Sequence, residues 1–156
     1  MSQSSDSQLI SQAERQAWMA VLARARRVEL EHIIERLGGC PGHTLLKPTE
    51  TGTIMVEGRA GGTGRRFNVG EATMTRCVVR LDSGRIGFSY ALGTDREKAL
   101  LAALLDALLQ DPEIGPPLAR REIAPMAAGQ RAARELALRK AAATKVDFFT
   151  LVRGHN

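Results

Sequence analysis

Leu100, Leu101, Leu104, Leu105, Leu108 and Leu109 recur at a spacing that only an α-helix gathers onto one broad face. Thr94 and Glu97 stand upstream at capping-box spacing. Asp111-Pro112 supplies the stop, because proline cannot donate the next helical hydrogen bond. A stripe this wide must be covered, so the helix is expected under a sheet or in a subunit contact. Material for a sheet lies just before it. Ala72 to Leu81 is rich in Thr and Val, Asp82-Ser83-Gly84-Arg85 predicts a tight hairpin, and Ile86 to Leu92 returns. In the returning strand Ile86, Phe88, Tyr90 and Leu92 alternate with Gly87, Ser89 and Ala91. One face of it is therefore expected to be buried against something apolar.

The same signals organise the rest of the chain. Ser11 and Glu14 form a capping box, followed by Trp18, Val21, Leu22 and Ala25 on one helical face. A second stripe, Leu30, Ile33, Ile34 and Leu37, is out of phase with the first. The pattern predicts a bend around Arg26 to Val28 and an end at Gly38-Gly39. Thr44 to Lys47 and Thr53 to Arg59, separated by the turn-like 48–52, predict two further strands. The expected fold is α+β, an antiparallel sheet of about four strands packed with N-terminal and central helices. Three of the six prolines crowd 112–117, between an expected compact core (11–111) and a C-terminal segment (112–156). That segment should hold an Ala- and Arg-rich helix from about Gly129 to Thr144, too poor in large side chains to be stable undocked. The apolar tail beyond it, including Phe148, Phe149, Leu151, Val152 and Arg153, reads as a closing strand or a partner-binding segment. Residues 1–10 are expected to be flexible.

A chain of 156 residues is one domain by default and needs neither a disulfide nor a metal to fold. Cys40 and Cys77 are expected as small buried hydrophobes in a reducing compartment. Met1 to Gln8 lacks the features of a signal peptide, and no apolar run reaches the roughly 18–20 residues of a membrane span. A cytoplasmic location is expected. Of the 22 basic residues 18 are Arg, whose planar fork suits phosphate and carboxylate. They concentrate in two blocks. Residues 59–85 carry six Arg against Glu71 and Asp82, a net +4, and residues 120–145 carry seven Arg or Lys against Glu122 and Glu135, a net +5. Such blocks fit a phosphate-bearing ligand or an acidic protein partner. With aromatics at 4%, stacking on single-stranded nucleic acid is disfavoured, and independent nucleic-acid binding rests on the basic pI alone.

The run from Arg59 to Gly70 is the most informative candidate site. Gly61, Gly62, Thr63 and Gly64 could turn backbone N–H groups onto one anion, with Arg65 and Arg66 completing the site. It is no Walker A loop, since no Lys-Ser/Thr follows at the required spacing. The alternative is a glycine-shaped excursion between strands. On the next strand Arg76 and Arg80 share a face with Met74 and Val78, where they could grip an acidic partner or keep an exposed sheet soluble. Glu29, Glu31 and Glu35 read as a solvated helix face, and His32, His43 and His155 make no metal-ligand spacing. No catalytic set, metal site or cofactor is expected.

Taken together, several blocks carry a family resemblance. They are Arg15-Gln16-Ala17-Trp18-Met19, the run Arg59 to Gly70 with Thr75-Arg76 and Arg80-Leu81, Gly93-Thr94-Asp95-Arg96 with Ala103 to Leu109, and Val146 to Gly154. In this order the chain resembles the G subunits of the bacterial carbon–phosphorus lyase core complex, from about residue 12 to 155. The resemblance implies a role beside H, I, J and L subunits. In that system the G, H, I and L components displace adenine from the ribose of ATP with a phosphonate, and the J subunit later cleaves carbon from phosphorus. It implies no catalytic residue for this chain, which is expected as an architectural or accessory subunit with possible contact to ATP or phosphonate. Self-association of the isolated chain is a further expectation.

Overall fold

A computed structural model describes residues 11–144. Helix α1 (Gln12–Arg24) opens with the expected capping box: Ser11 Oγ accepts from Glu14 N–H at 3.1 Å, and Ser11 N–H donates back to Glu14 Oε2 at 3.0 Å. The chain bends at Ala25–Arg26 and continues as α2 (Arg27–Arg36), which ends where Gly38 takes a positive φ of 97°. Both apolar stripes point inward. Leu22, Leu30 and Ile33 are among the most deeply buried side chains.

Among the described residues the sheet has three antiparallel strands in the order β1 (His43–Arg59), β2 (Arg66–Leu81) and β3 (Ile86–Leu92). The two short strands expected on either side of 48–52 are one continuous strand. The turn-like residues are absorbed as register shifts between Leu45 and Lys47 and between Lys47 and Glu50. Proline and an irregular register are tolerated there because β1 is an edge strand. Strand β2 begins at Arg66, six residues earlier than its Thr/Val-rich part suggests. Its partner β3 reaches only as far as Met74. Residues 53–59 and 66–73 therefore run on as a two-stranded arm beyond the three-stranded part.

Helix α3 (Arg96–Leu109) lies across one face of the sheet and forms the centre of the core. Its N-cap is Asp95, whose side chain accepts from Lys98 N–H at 2.9 Å. The Thr94–Glu97 pair does not cap it; Glu97 instead ion-pairs with Arg27 at 2.7 Å. Strand β3 turns its small residues, Gly87, Ser89 and Ala91, toward α3. The facing helix residues Ala99, Ala102, Ala103 and Ala107 are small as well and fully or almost fully buried. Small residues on both sides let the elements approach closely: a Cβ added at Gly87 would lie 1.9 Å from the Ala103 carbonyl oxygen. Ser89 Oγ donates to the Ala99 carbonyl across the same contact. The large residues of β3 consequently face outward, and Ile86, Tyr90 and Leu92 are exposed.

After α3 the chain turns through Asp111 into α4 (Gly115–Leu118), a π-helical turn (Ala119–Ile123) and α5 (Ala124–Ala143). The helical run starts well before Gly129. Pro116 and Pro117 sit in its first turn, where their missing N–H groups are not needed. Pro125 follows directly on the π turn, whose wider loop relieves the clash of a proline ring with the preceding turn. Leu118 and Ile123 enter the core, and Gln130 Nε2 donates to the Val21 carbonyl at 3.0 Å. Past Gln130 every residue to Thr144 is exposed. At 1.5 Å per residue that leaves roughly 20 Å of helix standing clear of the core.

Candidate functional site

The glycine-rich run forms the tip of the two-stranded arm. After Arg59 the chain makes one 3₁₀ turn, Ala60–Gly62, with Gly61 at φ 61° and Gly62 at φ 80°. Only glycine takes such angles freely, so this turn needs its glycines for shape alone. The Thr63 and Gly64 N–H groups are turned inward onto the Ala60 carbonyl, the latter at 2.8 Å. Arg59 and Arg66 stand directly opposite each other in the ladder, and Glu57 lies 3.7 Å from Arg66. Like charges across a ladder repel, so the tip is a small cationic cluster with one adjacent carboxylate. Arg65 is exposed beside it.

Arg76 is not part of that cluster. It lies ten positions from Arg66 along β2, roughly 33 Å at the rise of an extended strand. Its guanidinium bonds Glu50 on the neighbouring strand, with Nε at 2.9 Å. That hydrogen bond, and then the charge of Arg76, hold the Glu50 carboxyl below its usual range. The tip and Arg76 cannot share one phosphate. Arg76 and Arg80 do share the outer face of the sheet with Met74 and Val78, as their alternation suggests.

Cys77 is buried beneath β2, and burial raises its thiol pKa. Cys40, expected in the core, is exposed in the loop after α2, because that loop has no layer above it. Phe148, Phe149, Leu151, Val152 and Arg153 lie outside the described residues. No helix among the described residues is long and apolar enough to cross a membrane.

Two features escape a reading by composition. One is Asp106, a fully buried carboxylate on the leucine helix. It accepts from Arg15 Nη2 at 2.7 Å, Trp18 Nε1 at 2.8 Å and the Phe88 backbone N–H at 2.9 Å. The Arg15–Trp18 block is thereby a structural tie between α1, α3 and β3. The lone Asp within a leucine stripe was its sequence signal. The other is Glu122 in the π turn, bound by Arg36 Nε and Arg121 Nε at 3.0 Å each. Hydrogen bonding from Arg36, above all, holds its pKa down.

No element among the described residues covers the outer face of the sheet. Ile54 and Val56 on β1 point to the side opposite α3, in register with Ala72 and Gly70. Phe67 and Val69 join them, both reaching over Gly58. Met74, Tyr90 and Leu92 continue the surface toward β3. Val69 is 61% exposed and Leu92 66%, high values for side chains of this kind.

The model of a family described as phosphonate metabolism protein PhnG matches residues 13–154. A relative from Rhizobium meliloti (strain 1021), the α-D-ribose 1-methylphosphonate 5-triphosphate synthase subunit PhnG, is 43% identical over 149 residues, covering 92% of each chain. On both counts the chain belongs to the PhnG family of phosphonate metabolism proteins.

Proposed function

We propose that the chain is a mainly architectural subunit of an α-D-ribose 1-methylphosphonate 5-triphosphate synthase. The observation that carries this is the 43% identity, spread over 92% of both chains, to a relative named as such a subunit. In this reading it works in the cytoplasm with H, I and L subunits. The assembly transfers the ribose triphosphate of ATP to an alkylphosphonate: the bond from ribose C1′ to adenine breaks, one to a phosphonate oxygen forms, and adenine leaves. A J subunit acts on the product. Catalysis belongs to the assembly, and this chain contributes surfaces to it.

The exposed distal half of α5 supports this reading, since an Ala-rich helix with little to bury gains stability chiefly by docking. The tail it leads to, with Phe148, Phe149, Leu151, Val152 and Arg153, is proposed as a second docking element. Deleting residues 145–156 should abolish co-purification with the other subunits while circular dichroism of the remainder is unchanged. Retained assembly would count against the tail's role.

A second reading makes Gly61, Gly62, Thr63, Gly64, Arg65 and Arg66 a direct phosphate contact in a composite active site. The cationic cluster at the arm's tip favours it, because Arg59, Arg65 and Arg66 have only Glu57 among them. Arg65→Ala with Arg66→Ala should then raise the KM for ATP or phosphonate, with assembly intact. Unchanged kinetics in the assembled double variant would remove the idea.

A further inference from the structure

We infer that the outer face of the sheet, from the arm to β3, is a docking surface for a different polypeptide whose apolar patch is bordered by carboxylates. The inference rests on the subunit reading and adds to it where this chain is gripped and by what chemistry. It concerns neither the tail nor the glycine tip.

Size, composition and charge each support it. Strand β2 is 16 residues long, roughly 50 Å at strand rise. Two to three strands of that length present on the order of 600 Å², approaching the roughly 800 Å² that each partner gives to a standard interface. Ile54, Val56, Phe67, Val69, Tyr90 and Leu92 lie along it, all exposed. A run of exposed apolar side chains with a polar rim marks an interaction site. The alternation within β3 has the same sense. Its small residues are used up against α3, and Ile86, Tyr90 and Leu92 are spent on the side that no element among the described residues covers.

Charge identifies the occupant. A positive end borders the apolar stretch on its own face: Lys47, Arg76 and Arg80 stand there against Glu50 alone. Among the described residues, Lys47 and Arg80 have no carboxylate within 4 Å. A second copy seated face to face by a two-fold axis would set this positive end on its own counterpart with the strands parallel, and bury it on the apolar arm with the strands antiparallel. Like charges brought together across an interface are strongly unfavourable. The exposed half of α5 fits no better, since Arg131, Arg134, Arg139 and Lys140 are set against Glu135 alone. A different chain with acidic residues flanking an apolar patch satisfies both requirements.

The test uses the full chain co-expressed with the H, I, J and L subunits. Val69→Asp with Leu92→Asp replaces the two most exposed apolar side chains of the face, where folding depends on them least. The double variant should melt like the parent and be recovered in the complex at least about 10-fold less well. Normal recovery of a folded double variant overturns the inference and leaves the subunit reading standing. Should the double variant fail to fold, Lys47→Glu with Arg80→Glu keeps the apolar face and reverses its border. Recovery should again fall about 10-fold, and unchanged recovery overturns the inference. A parent chain that assembles with none of these subunits overturns the subunit reading and the inference together. A defined homodimer of the isolated chain that both variants dissolve would assign the face to a second copy, and so also overturn it.

Discussion

The side chain on which most of the fold converges is a single carboxylate. Asp106 is fully buried yet takes hydrogen bonds from a guanidinium, an indole and a backbone N–H, which join α1, α3 and β3. Removing one partner of such a group leaves the others buried and unmet, a larger loss than the pair itself gains. Asp106→Ala is therefore expected to destabilise the chain by about 3–5 kcal/mol, read from urea denaturation. Trp18→Phe, which keeps the ring and loses one donor to a charged acceptor, should cost about 1.5–3 kcal/mol. Glu122 gives the chain an acid-sensitive tie of a different kind. Its pKa is depressed in the fold, chiefly by Arg36, so the stability it adds is present above the unfolded carboxylate's value, about 4.3. That contribution disappears as the pH falls through the lower, folded value. Between pH 6 and 3 the urea midpoint of Glu122→Gln should consequently fall less than that of the parent. Parallel curves would show that the Arg36–Glu122 contact adds nothing to folding.

Among the elements, those with strong periodicity were legible in the sequence and those shaped by a neighbour were not. The two N-terminal stripes, the hairpin at 82–85 and the leucine helix stand where their patterns put them, because each is specified by residues within it. The alternation of β3 showed that one face was buried but could not say which. Residue size favours the side with Phe88 and Tyr90, and the contact with alanines of α3 decides for Gly87, Ser89 and Ala91. Pro48 misled in the same manner: proline signals a break, yet an edge-strand irregularity absorbs it. The candidate phosphate loop was readable as glycine-shaped, but its place at the end of an arm followed from the long pairing of β1 with β2. The close approach of β3 to α3 supplies a direct check. Gly87→Val must force helix and strand apart, at a cost of about 2–3 kcal/mol, whereas Gly70→Ala, with open space around it, should cost under about 1 kcal/mol.

At the scale of the whole molecule the helices and one sheet face make a finished core, while the other sheet face, the arm and the distal half of α5 contribute little to it. A chain of this size should therefore fold alone, but with unevenly distributed stability. Backbone amides of α3, covered from both sides, should exchange with solvent only through global unfolding. Those of residues 131–144 should exchange far faster, because nothing among the described residues packs on that stretch of helix. Assembly then acts on stability by mass action, since a partner that binds only the folded chain stabilises it in proportion to the logarithm of its excess over Kd. At a hundredfold excess the gain is about 2.7 kcal/mol, and for a domain of this length that raises the midpoint of thermal unfolding by about 5–11 °C. The same partner should slow exchange in residues 54–56, 67–69 and 86–92 if it covers the outer sheet face, and leave α3 protected as before. A rise in melting temperature with no added protection on those strands would mean that the complex holds the chain elsewhere, by the exposed helix or the tail beyond it. Protection confined to the strands would instead make the sheet the grip and α5 a spacer.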